Sequence, residues 1–382
     1  YLMLNRLMLE MKVKIVKGPN STAVDYRNET VAPINFLGVT MWEHVDITLN
    51  DQLISSDSSS NSNYKAYIES ILSFDNEQVD STLENMFVCM DEAGKFDSFA
   101  IGNSLEAAAV NNKGHQKRFN WIKEKPELEI FSPVTADFLR SYTYLAPNNK
   151  ISIKCYKARD SFLLCADGAD TVDYRLIFTD IKMHYKYISL KDTKIPNPQR
   201  YLCPKTMLKK FPIARGMSIY NFNIHHGGKF PTQIVLTQVL TQASEGRFSK
   251  NPFNLQHFNL QCIKVMVNGR LMPNEPLEMD FGNKKFGRVY HHMLENTGKV
   301  NQSHSVLITK SRFVGGYAVF PFDLSPDLCN GTHLHESKVG DIEVQLEWRE
   351  PLAEPITVLV HLNYEQIYML DSETGVLDIA TI

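Results

Sequence analysis

Apolar and polar residues alternate along this chain in short runs, and Gly, Pro, Asn, Asp and Ser stand between the runs. MKVKIVKG (11–18), HVDITLND (44–51), KISIKCYK (150–157), KVMVNGRL (264–271), DIEVQLEW (341–348) and ITVLVHLNY (356–364) all repeat with period two. Period two turns one face of a strand to a core and the other to water. Many such runs with few helical stretches predict an all-β chain built as sandwiches. Two short helices are expected between strands, over YKAYIESILSF (64–74) and FGRVYHHML (286–294). The opening YLMLNRLMLEMKVKIVKG interleaves charges with apolar residues and lacks a small-residue cleavage pattern, so it reads as a strand rather than a signal peptide. It begins with Tyr rather than Met, which leaves room for native residues ahead of it.

Two stretches break the pattern. SSDSSSNSN (55–63) is polar low-complexity chain, expected at a solvated loop tip. KDTKIPNPQRYLCPK (191–205) carries Pro196, Pro198 and Pro204. Proline removes a ladder donor and holds its predecessor extended, so a boundary is placed here, between domains 1–195 and 196–382.

The two halves repeat one order of elements. APINFLGVTMWEHVDITLNDQLI from Ala32 and NPFNLQHFNLQCIKVMVNGRLM from Asn251 both open on Pro-x-Asn and both run a strand into Asn-Asp or Asn-Gly. Pro33 and Pro252 are offset by 219 residues, Asn50 and Asn268 by 218. A short helix with aromatic residues follows each, around Tyr67 and Tyr290. IFSPVTADFL (130–139) then parallels VFPFDLSPDL (319–328), with Asp137 matching Asp327, and ISIKCYK (151–157) parallels IEVQLEW (342–348). Four matches in one order predict a duplicated sandwich.

Composition narrows the function. With 382 residues, 43% hydrophobic and 22% charged, the chain can fill two cores. A formal net charge of -3 excludes a coat that wraps nucleic acid by bulk charge. No run approaches the ~18 apolar residues of a membrane span. Cys89, Cys155, Cys165, Cys203, Cys262 and Cys329 are scattered without CxxC, which argues for free thiols.

Catalytic signatures are missing: there is no GxxxxGK[ST], no GxSxG and no HExxH. His333 and His335 would share a strand face, but surface-loop histidines are the expected reading, and no metal or cofactor is predicted. Asp323 and Asp327 lie in a turn-rich segment, where Asp caps backbone amides. The basic runs KGHQKR (113–118) and LKK (208–210) could touch nucleic acid or an acidic partner, but solvated loops are the expected reading.

VAPINFLGVTMWEHVDITLNDQLIS with YKAYIESILSF, SKNPFNLQHFNLQCIKVMVNGRLMPNEPLEMDF and GGYAVFPFDLSPDL resemble the double jelly-roll major capsid proteins of Polinton/Maverick and adinto-like viruses, relatives of which occur as integrated copies in animal genomes. The resemblance runs from about residue 30 to the C-terminus. It implies two tandem eight-stranded jelly rolls with short helices in loops, and no enzyme. It further implies pseudo-hexameric homotrimers that tile an icosahedral shell, with a single jelly-roll penton and minor capsid proteins as partners. No sequence-specific nucleic-acid partner is implied, and membrane contact beneath the shell is left open. The protein would be found in the virion, and in host nucleus or cytoplasm during assembly. Trp42, Phe131, Tyr144, Phe253, Phe258, Phe320 and Phe322 are candidate subunit-interface anchors, with ordinary sandwich core as the competing reading. The loops 55–63, 106–120 and 240–256 are further contact candidates. Two other functions stay open: a capsid-derived protein kept by an animal host for binding, and a carbohydrate-binding β-sandwich, although the chain has three Trp.

Overall fold

The structure is a computed structural model that describes residues 1–55, 61–101, 111–168, 172–189, 197–300, 302–325, 338–371 and 374–381. Strands dominate it. In the first half the strands longer than two residues are β1 (Met8–Lys17), β2 (Trp42–Leu49), β3 (Gln52–Ser55), β4 (Glu127–Pro133), β5 (Ile151–Lys157) and β6 (Tyr174–His184). In the second half the strands are β7 (Gln199–Ile213), β8 (Ile219–Lys229), β9 (Gln233–Leu240), β10 (Leu260–Val267), β11 (Arg270–Leu271), β12 (Val319–Asp323), β13 (Val339–Trp348), β14 (Ile356–Leu370) and β15 (Leu377–Thr381), with a two-residue strand, Leu277–Glu278, also on β10. Three helices matter below: α1 (Ser62–Ser73), α2 (Lys113–Glu124) and α3 (Gly287–Glu295).

The second half builds two facing sheets, ordered β7-β14-β9-β12, with β15 also on β14, and β8-β13-β10-β11. The first half repeats part of this plan, as β6-β1-β4 and β3-β2-β5. All these pairs are antiparallel. Among the described residues no strand before His184 pairs with a strand after Gln199. The matched sequence segments occupy matched places. β2 answers to β10, β3 to β11, β4 to β12, β5 to β13 and β6 to β14, while β1 takes the place of β9.

The turns explain the register. Asn50 and Asp51 have φ of 48° and 65°, and Asn268 and Gly269 have 51° and 74°. Two successive left-handed residues make the tight turn whose twist suits a hairpin, and Asn, Asp and Gly accept that geometry at least cost. Each half thereby closes the same two-residue hairpin.

Helices α1 and α3 fall on the two predicted stretches. Helix α2 corrects the reading of 106–120 as a surface loop. Residues 113–124 wind so that Gly114, His115, Arg118, Phe119 and Ile122 share one buried face. The run KGHQKR is therefore not simply solvated: its His115 and Arg118 are wholly buried. The proline-rich boundary is shorter than expected, because 199–205 already belongs to β7. Pro204 and Pro212 are tolerated there because β7 is an edge strand, where a missing N–H costs little.

One hydrophobic cluster runs through both halves. Between the halves lies a joint with a polar centre. Asp91 Oδ1 accepts from Arg118 Nη2 at 2.7 Å and Asn112 Nδ2 at 2.8 Å, and its Oδ2 accepts from Asn251 Nδ2 at 3.1 Å. The Tyr317 hydroxyl donates to the Asp91 carbonyl at 2.9 Å. Arg118 completes its own set with the carbonyls of Pro33 and Cys89. Rings pack beside this centre: Phe253 stacks on Tyr67 with centroids 4.0 Å apart and meets Tyr64 and Phe162 edge-on.

Candidate assembly surface

The predicted anchors divide by burial. Trp42, Phe253, Phe320 and Phe322 are packed inside the chain, so their side chains present almost no surface to a neighbour. Trp42 stacks on Phe178 of β6, and Phe322 meets His292 of α3. Phe258 is half-buried at a left-handed turn, and Phe131 is half-buried against His184. Tyr144 is exposed. Of the proposed contact loops, residues 56–60 and 106–110 lie outside the described residues. Within 240–256, Asn251, Phe253 and Leu255 are buried, the first two against residues of the first half.

Exposed apolar side chains occur on both halves, among them Leu202, Ile219 and Val339 on the second, but one regular run of them lies on the first half. Ile181, Met183, Tyr185 and Tyr187 are 47%, 43%, 60% and 72% exposed. They are two residues apart, so one face of an extended chain carries all four. The reason they share a face with the core is a bulge. β6 pairs Phe178 with Val13 and then Asp180 with Lys12, leaving Thr179 over. One extra residue flips the alternation. After it, Ile181 stands beside Met11 and Met183 beside Leu9. Met11 and Leu9 are buried in the sandwich. Ile181 and Met183 thus face inward and are nevertheless uncovered.

β5 shows the same deficit. Its Ile151, Ile153 and Cys155 pair with Leu49, Ile47 and Val45, all buried, yet are themselves only partly buried. The matching residues of β13, Ile342, Val344 and Leu346, are at most 1% exposed. The difference is a neighbour. β8 lies on β13 and β7 on β14, and they bring Phe222, Ile224, Leu208 and Ile213 into the core. Among the described residues nothing pairs with the outer edges of β5 and β6. The sequence carried one signal for this surface, the odd-numbered apolar stripe of IKMHYKY. The missing neighbours leave no trace in it.

Chemistry is sparse. Among the described residues no three His, Cys, Asp or Glu side chains stand close enough to hold a metal ion. Asp323 does what a turn Asp is expected to do: its Oδ1 accepts from the Ser325 amide and hydroxyl. Asp327, Cys329, His333, His335 and Glu336 lie outside the described residues, as do the side chains of His225 and His226. His292 is largely buried against Phe322, and burial pushes its pKa down to about 4. Cys89, Cys155, Cys165, Cys203 and Cys262 are free thiols. No described helix is long and apolar enough to cross a membrane.

No protein-family model matches the sequence. An uncharacterized protein of Caenorhabditis elegans is 23% identical over 372 residues, covering 94% of this chain and 83% of that one. Among solved structures, the mavirus major capsid protein superposes with a TM-score of 0.54 at 11% identity, covering 98% of this chain and 83% of that one. PBCV-1 VP54, fitted into a reconstruction of the virophage Sputnik, gives 0.52 at 9% identity, with 99% and 89% covered. The Faustovirus major capsid protein gives 0.50 at 9% identity, with 96% and 78% covered. The sheet orders and these superpositions, which span nearly the whole chain, make the fold a double jelly roll.

Proposed function

We propose that this protein is a structural capsid subunit that assembles with copies of itself and catalyses nothing. One observation carries the reading: a duplicated sandwich whose fold, over nearly all of the chain, is that of major capsid proteins. Two rolls, residues 1–195 and 196–382, give a trimer six similar corners, so three identical chains make near-sixfold contacts with their neighbours. The resemblance read from the sequence adds the finer parts of the proposal: the Polinton/Maverick and adinto-like lineage, the icosahedral shell, and a penton and minor proteins as partners. A shell-forming interface should bury well over ~1,000 Å² per subunit pair. Tyr144, Phe131 and Phe258 retain enough surface to take part in it.

Negative-stain microscopy and analytical ultracentrifugation of the purified protein test this. Pseudo-hexagonal trimers support the self-assembly and closed shells the capsid role; a monomer that persists at high concentration sinks both. The nematode relative favours a second reading, a capsid-derived protein kept by an animal host for binding. That protein would form soluble trimers and no shells in the same experiment.

A further inference from the structure

The first roll holds a cavity that neither the joint nor the strand edges account for. It has a volume of about 590 Å³ and lies between α1, the short 3₁₀ turn Leu4–Arg6 ahead of β1, and the stretch that follows β4. Small-molecule sites usually measure about 300–1,000 Å³ and combine apolar walls with a few convergent polar groups. Leu4, Leu7, Val39 and Leu139 line this cavity and are buried, so they make an apolar floor. Arg6, Ser73 and Tyr142 also line it and are exposed, so they stand at its mouth.

The polar groups of the cavity are underused. Arg6 makes no ion pair and no side-chain hydrogen bond among the described residues. Arg140 spends Nη2 on the Glu69 carboxylate, and its Nε and Nη1 have no hydrogen-bond partner among the described residues. The Thr135 hydroxyl is buried and likewise has no partner there. Glu69 is ionised: burial alone would raise its pKa, but Arg140, and His361 with its Nε2 3.2 Å from Oε1, hold it well below the usual carboxylate range. One carboxylate against two guanidinium groups leaves a single positive charge uncompensated in the cavity wall.

We propose that this cavity binds one single-chain amphiphile with an anionic head, its acyl tail on the floor and its carboxylate or phosphate at Arg6 and Arg140. The charge left over calls for an anion, and the planar guanidinium fork matches the oxygens of such a head. The floor calls for a plain tail. A peptide segment would bring backbone N–H and C=O groups that Leu and Val side chains leave unpaired, whereas an acyl chain has none to satisfy. The site lies within one chain, so it holds whether or not the protein builds a shell.

Isothermal titration calorimetry and native mass spectrometry of the full chain test this, with dodecanoate below its micelle concentration as the probe. Dodecanoate should bind saturably, one per chain. Dodecanol should bind about tenfold more weakly or worse, since it lacks the charge that strengthens the hydrogen bonds, and dodecyltrimethylammonium should not saturate. Arg6→Glu should weaken dodecanoate by about tenfold or more while leaving the thermal midpoint of the free protein unchanged, because Arg6 is exposed and unpaired. Ser73→Trp, which fills the mouth from an exposed position, should abolish binding. Phosphatidylglycerol vesicles should not pull the protein down on sedimentation. Four results overturn the proposal. One is no saturable binding of dodecanoate. A second is equal binding of dodecanoate and the cationic amphiphile, which would make the contact unspecific. A third is binding that survives both Arg6→Glu and Ser73→Trp, which would place it elsewhere. The fourth is vesicle binding lost in Arg6→Glu, which would make the occupant a membrane lipid rather than a free amphiphile.

Discussion

Asp91 is the residue on which the joint between the rolls turns. A buried carboxylate is tolerable only when paired and fully hydrogen-bonded, and here Arg118, Asn112 and Asn251 saturate it from two halves of the chain. Removing one partner is worse than removing both. Arg118→Leu strands a charged carboxylate, so it should cost about 3–5 kcal/mol in urea unfolding. Adding Asp91→Asn to it should recover part of that loss; a double variant no more stable than Arg118→Leu would refute the pairing argument. His115 gives the joint a pH response. Burial, with Arg118 close by, pushes its imidazole down to about 3, against 6.5 when free. A folded pKa below the unfolded one means that the unfolded chain takes up the proton first. The stability tied to His115 is complete above pH 6.5 and drains away as pH falls from there toward 3. Between pH 7 and pH 5 this one group should remove about 2 kcal/mol. Its Nε2 donates to the Thr30 carbonyl at 2.9 Å, a bond that Gln can replace. Urea midpoints of His115→Gln should therefore fall less between pH 7 and pH 5 than those of the parent, and equal falls would refute the assignment.

At the scale of elements, what could be read from the sequence was whatever depends on local period and turn chemistry. β2, β5, β10, β13 and β14 stand where alternation put them, and the Asn-Asp and Asn-Gly turns have the left-handed geometry their residues favour. Helix α2 was missed because its buried face carries His115 and Arg118, which no hydrophobic pattern marks as core. Which candidate anchors belong to a core was hidden for a related reason: an aromatic residue looks the same in a core and in an interface until its neighbours are known, and Trp42, Phe253, Phe320 and Phe322 pack inside the chain while Tyr144 is exposed. The bulge at Thr179 was also hidden, since nothing in IFTDIKM says that one residue will be left out of the ladder. That bulge sets the test for β6. Ile181 and Met183 are exposed in this chain, and exposed substitutions usually change stability by no more than about 0.5 kcal/mol. Ile181→Lys with Met183→Lys should therefore leave its thermal midpoint nearly unchanged while reducing edge-to-edge aggregation. In a protein whose edge is covered, the same pair should cost several kcal/mol, because each buried apolar side chain contributes about 1.5–3 kcal/mol. A large loss in the 382-residue chain would mean that the stripe is not free.

For the whole molecule, the question is whether two rolls behave as two domains or as one body. Sheet pairing keeps them apart, yet everything between them ties them together. Gly94 donates to the Gly315 carbonyl, Ala166 to the Phe248 carbonyl and Leu307 to the Ile71 carbonyl, all across the joint. Phe253, from the second half, is clamped by Tyr64, Tyr67 and Phe162 of the first. A rigid body would suit the proposed shell subunit, because a hinge between the rolls would let the angle between neighbouring contacts wander. Joints inside a chain are ordinarily loose unless large and apolar. This one combines ring stacking with a saturated ion pair, so the rolls should unfold in one transition. Phe253→Ala tests the coupling at its centre. Emptying that site should cost about 3–5 kcal/mol, as for other buried Phe truncations. Because the loss falls on the joint rather than on either sandwich, the calorimetric transition should broaden or split into two. A Phe→Ala change of similar burial inside one roll, at Phe222, is the control and should lower the midpoint without splitting it. If Phe253→Ala also leaves a single sharp transition, the rolls are held together by the backbone contacts and the Asp91 cluster, and the aromatic clamp is packing without coupling.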